Sequence, residues 1–265
     1  MLGYILSSRR GTDVKEIRFW ALALVVALLA AFVVCAVPAQ AIMVVSRADE
    51  VKVGKQVEAQ SIKDYGGLVN DPAMTARVAR IGSKVAAVSP RKDVTYTYKV
   101  LNSDVINAFS APGGPVLITK KLVQLLSTDA QLGFVLAHET GHIAAQHGRK
   151  AINQAMISQG LTSLFLNKSG SIVQTGVGVT YTLLTRGYSR DQEYQADTYG
   201  VQLMTKAGYN PEGAVEALAK LGLNKSKGVN KYFATHPDTP ARIDRVAAQA
   251  GISKAREAAL IASVK

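Results

Sequence analysis

The sequence predicts an α+β domain: a small β-sheet near the middle of the chain, then a C-terminal half that is helical. Three observations point there. Val94 to Leu101 alternates β-branched or aromatic residues with others, as strands do. Pro112-Gly113-Gly114 separates two short apolar runs, Val105 to Phe109 and Pro115 to Thr119, and reads as the turn between two strands. Beyond residue 127, apolar residues recur at three- and four-residue steps behind capping residues. Helix, small sheet, then several helices is the order of an α+β domain.

Taken in order, residues 1–41 read as an address. Phe19 to Val37 is an unbroken apolar run, preceded by Arg9, Arg10, Lys15 and Arg18. Pro38-Ala39-Gln40-Ala41 follows, with the small-residue form of a signal-peptidase site. The run is also just long enough to anchor the chain uncleaved. The expectation is therefore a signal peptide or N-terminal anchor over 1–41 and one domain over 42–265. Cys35, the single cysteine, leaves with a cleaved signal, which suits an oxidising compartment.

Asp71-Pro72 is an N-cap followed by proline at the first helical position, and predicts a helix to Val88. Ser127 or Thr128 caps a helix expected to run to about His147-Gly148, with Leu132, Val135, Leu136, Glu139, His142 and Ile143 at helical steps. Residues 149–187 have few charges and many Gly, Ser and Thr, and read as a mobile apolar segment or as buried helices. Ser189 to Lys206 predicts a helix ending at Gly208. Asn210-Pro211 starts another that stops at Gly222. Thr239-Pro240 starts a last one that runs to about Gln249.

Composition removes several classes. With 48% hydrophobic residues the chain has enough apolar surface to fold. One cysteine cannot make a disulfide scaffold. One long apolar run cannot make a multi-span membrane protein. The net charge of +12 favours anionic lipid headgroups or acidic partners. No basic stripe interleaved with aromatics is present, so nucleic acid is not an expected partner.

The chemistry centres on His138-Glu139-Thr140-Gly141-His142, an H-E-x-x-H pattern on a predicted helix. Residues four apart share a helical face, so both imidazoles can reach one metal, and Glu139 can take a proton from water there. A catalytic site needs a third protein ligand. On spacing, the candidates are His147, Glu193, Asp197 and His236. Glu193 and Asp197 are again four apart on one predicted helix, so one can ligate while the other orients a ligand histidine. His147 lies five residues past His142, off the ligand face if the helix continues, and is expected on the surface or behind a ligand.

These motifs resemble the HtpX-like and CAAX-prenyl-protease-like zinc metalloendopeptidases of the gluzincin class. The resemblance rests on His138 to His142, followed by Glu193-Tyr194-Gln195-Ala196-Asp197. Asn107 to Gly114 is similar to that family's edge-strand signature, and Ser189-Arg190-Asp191-Gln192 to its lead into the third-ligand helix. Thr235-His236-Pro237, then Ala241-Arg242-Ile243, is similar to its C-terminal His-Pro motif. The likeness spans about residues 48–250.

The resemblance implies a mostly helical zincin-like metallopeptidase domain whose small sheet has an edge strand bordering the active-site cleft. It implies one Zn2+ per chain, held by His138, His142 and Glu193, with Asp197 behind a ligand histidine. It implies Glu139 as general base and proton donor. Asn107, Ala108 and Phe109 would form the edge on which an extended substrate adds as a further strand. His236 would stabilise the oxyanion or cap the zinc as a regulatory fourth ligand, and Arg242 would steady the site. With a single apolar run, the chain resembles the exported, periplasmic branch, without a repeat domain. The expected function is hydrolysis of unfolded or misassembled envelope proteins by water activated by zinc and Glu139. The alternatives are a chaperone-like binding protein closed by His236 and a membrane-tethered regulatory protease.

Overall fold

The computed structural model describes residues 45–158, 169–224, 231–236 and 240–264; the address read in residues 1–41 lies outside them. Helix α1 (Arg47–Asp64) starts at Ser46, whose hydroxyl accepts from Asp49 N, and places Asp49 and Glu50 in its first turn, where the helix dipole favours anions. Helix α2 (Pro72–Val88) starts as its sequence predicts: Asp71 accepts from Met74 N and Pro72 opens the first turn. Its buried stripe is Val78, Ile81 and Val85, one face at steps of three and four.

Three strands follow: β1 (Thr97–Leu101), β2 (Ala108–Ser110) and β3 (Pro115–Thr119). The order is β1-β3-β2. β1 runs parallel to β3, with Thr97 opposite Pro115 and Leu101 opposite Thr119. β2 is antiparallel to β3, with Ala108 opposite Ile118 and Ser110 opposite Val116. The hairpin turn needs its glycines, since Gly113 and Gly114 have φ of 80° and 135°. β1 begins at Thr97, three residues later than its alternation suggests, because the ladder with β3 begins there. Its outer edge is partly covered: Val69 N donates to Val100 O at 2.9 Å. β2 is the opposite edge of the sheet.

After α3 (Lys120–Leu125) comes α4 (Asp129–Ala144), capped by Thr128. Every residue of α4 from Gln131 to Ile143 is buried, so it is the central helix. It ends at Ala144, short of the expected His147-Gly148. Gln146 takes a left-handed φ of 59°, and a new helix, α5 (His147–Ser158), leaves in another direction. Helix α6 (Ser169–Arg186) follows. Val53 and Val57 of α1, Ile152 and Met156 of α5, and Ile172 and Val173 of α6 form one apolar cluster. The described part of 149–187 is thus two packed helices.

Helix α7 (Arg190–Lys206) starts with a capping box between Ser189 and Gln192, and Gly208 at φ 85° lies beyond its end. Helices α8 (Glu212–Leu223), α9 (Tyr232–Thr235), α10 (Pro240–Gln249) and α11 (Lys254–Ser263) complete the described chain. The main core joins α2, the sheet, α4, α7, α8 and α10 through residues such as Ile81, Ile118, Leu136, Met204, Leu218 and Val246. Helices α4 and α7 approach closely because each offers a glycine. A Cβ on Gly141 would meet Tyr199 Cβ at 2.6 Å, and one on Gly200 would meet Phe134 Cε2 at 2.8 Å. Among the described residues no helix is long and apolar enough to cross a membrane.

Candidate metal centre

The close approach of α4 and α7 brings the predicted ligands together. His138 and His142, one turn apart on α4, present their Nε2 atoms to each other at 3.1 Å. Glu193, in the first turn of α7, places Oε2 3.6 Å from His138 Nε2 and Oε1 3.4 Å from His142 Nε2. His236, just after α9, adds Nδ1 at 3.2 Å from His138 Nε2 and 3.1 Å from Glu193 Oε1. All four are buried, and one ligand atom from each lies within 4.8 Å of the others. Two neutral imidazoles, a carboxylate and a further imidazole are a donor set that suits zinc.

Glu139 lies wholly buried on α4, and neither of its oxygens has a hydrogen-bond partner among the described residues. Its nearest charge is His236, with Nε2 3.2 Å from Oε1. Burial alone would push the Glu139 carboxyl up, but the neighbouring imidazoles, His236 first and then His138 and His142, together hold it at about 2. Burial would push His236 down, but Glu193 and then Glu139 lift its imidazole to about 10. Two buried carboxylates therefore favour positive charge between them, which suits a cation at this place. Burial drives His142 down to about 4, which leaves its ring neutral, as a ligand must be.

The ligands are held from behind. Asp197 Oδ1 lies 3.0 Å from His138 Nδ1. A carboxylate can only accept, so the His138 proton sits on Nδ1 and Nε2 keeps its lone pair for a metal. The Asp197 carboxyl would rise with burial but is held low, first by the Arg242 charge. Arg242 is among the largest wholly buried side chains, and its Nη1 also lies 3.1 Å from Glu193 Oε2. It braces one ligand and the support of another.

The edge strand reaches the site through backbone. Thr119 N donates to Asn107 O and Ala111 N to Pro115 O, so odd-numbered residues turn toward β3. Ala108 and Ser110 therefore turn their amides and carbonyls outward. Ala108 O accepts from His236 Nε2 at 3.3 Å. The side chain of Phe109 does not join the site; it packs with Leu101 and Leu117. Asn107 donates to Tyr65 Oη at 3.1 Å, and its buried Oδ1 has no hydrogen-bond partner among the described residues.

Two neighbours were not anticipated from sequence. Tyr188 stacks on His142, centroids 4.0 Å apart, and Tyr232 stacks on His236 at 4.5 Å. Neither belongs to a periodic pattern, so nothing in the sequence marks them. Of its two expected places, the surface or behind a ligand, His147 takes the second: it is buried, and its Nδ1 lies 2.9 Å from His142 Nδ1. Burial pushes its imidazole below the ordinary value.

Known proteins share this arrangement's sequence. The chain is 30% identical over 170 residues to the mitochondrial metalloendopeptidase OMA1 of Arabidopsis thaliana, covering 63% of this chain and 34% of the relative. It is 27% identical over 199 residues to the β-barrel assembly-enhancing protease of Escherichia coli, covering 69% and 40%. It is 26% identical over 153 residues to the metalloprotease LoiP of the same organism, covering 56% and 60%. The chain thus spans about a third to three fifths of the length of these relatives. The sequence profile of peptidase family M48 matches residues 72–250, from the first turn of α2 to the residue after α10, and so takes in every ligand candidate and its supports. On that match, which spans well over half of the sequence, the chain belongs to peptidase family M48.

Proposed function

We propose that the chain is a zinc-dependent endopeptidase acting on unfolded or damaged proteins of the cell envelope. The observation that carries the reading is Glu139: a fully buried carboxylate without a hydrogen-bond partner among the described residues, paired only with His236 Nε2 at 3.2 Å, beside a cluster of metal donors. His138, His142 and Glu193 would hold the zinc. When bound, it supplies a Lewis acid that polarises a peptide carbonyl and eases deprotonation of water. Glu139 takes the proton of the attacking water and delivers it to the leaving amine. Asp197, braced by Arg242, keeps His138 in its ligating tautomer. Once His236 releases Ala108 O, the outward groups of Ala108 and Ser110 can hold an extended segment as an added strand, which reads chain shape more than sequence. Asn107 Oδ1 is a further acceptor for it.

Residues 1–41 would export the chain, or anchor it, and residues 42–265 would form the protease. The name of the Escherichia coli β-barrel assembly-enhancing protease supports envelope substrates. The net charge of +12 favours contact with an anionic membrane surface.

A second reading, a chaperone-like binding protein, is favoured by His236, which sits inside the donor cluster and also holds Ala108 O. One experiment separates them. The purified full chain is incubated with an unfolded model protein as wild type, Glu139→Gln and His236→Ala, with zinc content measured. Cleavage by wild type or His236→Ala that is absent in Glu139→Gln, abolished by a chelator and restored by zinc, establishes the protease. One zinc per chain with no cleavage by any form leaves the binding protein. No zinc in any form refutes both.

A further inference from the structure

We propose that His147 is a positioning residue for the metal centre: together with Gln195 it fixes the tautomer and ring orientation of His142. The proposal rests on reading His138, His142 and Glu193 as metal ligands. His142 Nε2 faces His138 Nε2 at 3.1 Å and Glu193 Oε1 at 3.4 Å, while its Nδ1 faces His147 Nδ1 at 2.9 Å. Two ring nitrogens at that distance share one proton, so one donates and the other accepts. A metal at Nε2 needs the lone pair there. The His142 proton must then sit on Nδ1, and His147 Nδ1 must accept it. The proton of neutral His147 is left on Nε2, where Gln195 Oε1 lies 2.8 Å away to accept it. The chain of bonds has one working direction, from His142 through His147 to Gln195. If the Gln195 amide donated instead, each proton would move over and His142 Nε2 would carry a hydrogen.

The backbone is arranged for this contact. In a continuous helix a residue five positions on lies about 140° further round, so the two rings could not meet. Gln146, at φ 59°, ends α4 and turns the chain so that His147 opens α5 facing back. A non-glycine residue in this conformation is uncommon and costs free energy, so the turn is held by what it positions. Tyr188 stacks on the His142 ring and fixes its plane. The two ligand histidines thus have supports of different kinds: for His138 an ionised Asp197 from α7 on a buried arginine, and for His142 a neutral imidazole from α5 on an exposed amide of α7. An anion strengthens a ligand more than a neutral acceptor does. Loss of His147 should therefore cost less than loss of Asp197.

The test is the zinc dissociation constant of the purified full chain, measured by competition with a chelating dye, with the electronic spectrum of the cobalt(II) form as second readout. His147→Ala is expected to weaken zinc about tenfold, at the low end of the roughly 10–100-fold range for such supports. It should also alter the cobalt(II) spectrum. His147→Asn places an amide oxygen near the lost Nδ1 and should recover most of the affinity. Gln195→Glu keeps an acceptor and should bind at least as tightly as wild type. Should His147→Ala not fold, judged by metal-free melting, His147→Asn against Gln195→Leu carries the test, the leucine form being the weaker. Affinity of His147→Ala within about 2-fold of wild type, an unchanged spectrum, or no difference between the alanine and asparagine forms overturns the proposal. A wild-type chain that takes up no zinc overturns instead the ligand reading beneath it.

Discussion

Arg242 grips Asp197 at both carboxylate oxygens, Nε to Oδ2 at 2.8 Å and Nη2 to Oδ1 at 2.7 Å, with both side chains buried. The pair is the anchor of the His138 support, and it joins α10 to α7. Breaking it leaves an uncompensated charge in the interior. Arg242→Ala is expected to destabilise the fold by about 3–5 kcal/mol, read from urea unfolding. Arg242→Lys should not restore it, since an ammonium cannot make the two parallel bonds. Asp197→Ala should weaken zinc by roughly 10–100-fold, and more than His147→Ala does.

A second buried pair secures the other end of α4. Arg91 donates to both oxygens of Glu50, at 2.9 and 2.6 Å, and to the Ile143 carbonyl at 2.9 Å. That carbonyl lies in the last turn of α4, one residue past His142. Glu50→Ala should lower stability by about 3–5 kcal/mol, seen as a fall in Tm. A form in which both Glu50 and Arg91 are replaced by apolar residues should lose less than the single substitution.

Helix spacing gives a separate prediction. Gly141 lies within the H-E-x-x-H turn and faces Ala196 O, where an added Cβ would stand 3.2 Å away. Gly141→Ala must push α7 off α4, and with it Glu193. The expected cost is about 1–3 kcal/mol, with weaker zinc binding measured in parallel. A loss of stability without any loss of zinc affinity would contradict this account.

Acid should expose a third contact. Asp129 Oδ1 accepts from Arg77 Nε at 2.8 Å and Oδ2 from Arg80 Nη2 at 2.7 Å. Hydrogen bonding from Arg77, then from Arg80, holds its carboxyl below the ordinary value. A value lower in the folded than in the unfolded chain means stability that is present above about pH 4 and lost as pH falls through the folded value. The side chain is 40% exposed, so the effect is discounted to under about 1 kcal/mol. Asp129→Asn should be less stable than wild type at neutral pH, and the gap should close at pH 3, measured by urea unfolding.

The metal-binding core was legible because it follows helical arithmetic. His138, Glu139 and His142 lie at fixed steps on one helix, as do Glu193 and Asp197 on another, and the caps at Asp71, Thr128 and Ser189 fixed where their helices start. The same arithmetic left His147 open between the surface and a place behind a ligand, because it assumed that α4 continues past Ala144, and a glutamine gives no warning of the left-handed turn that decides for the second. Helix α1 escaped notice because its sequence lacks a strong apolar stripe; it buries Glu50 and Gly54 alongside Val53 and Val57. The hairpin of β2 and β3 could be read from its glycines. The parallel pairing of β1 with β3 could not, since no local signal says that β1 passes over its sequence neighbour.

Arg242 stands late in the chain, yet it braces Asp197 and Glu193, almost fifty positions earlier. Its place has a consequence for synthesis. A nascent chain acquires the H-E-x-x-H helix first, but His236 joins His138 across 98 positions and Arg242 comes later still. Closing such long loops is entropically costly until the last segment docks. The donor cluster and its brace are thus complete only once residues 236–242 have emerged. On the proposed reading of the centre as a protease, the order of the sequence itself then acts as a safety catch.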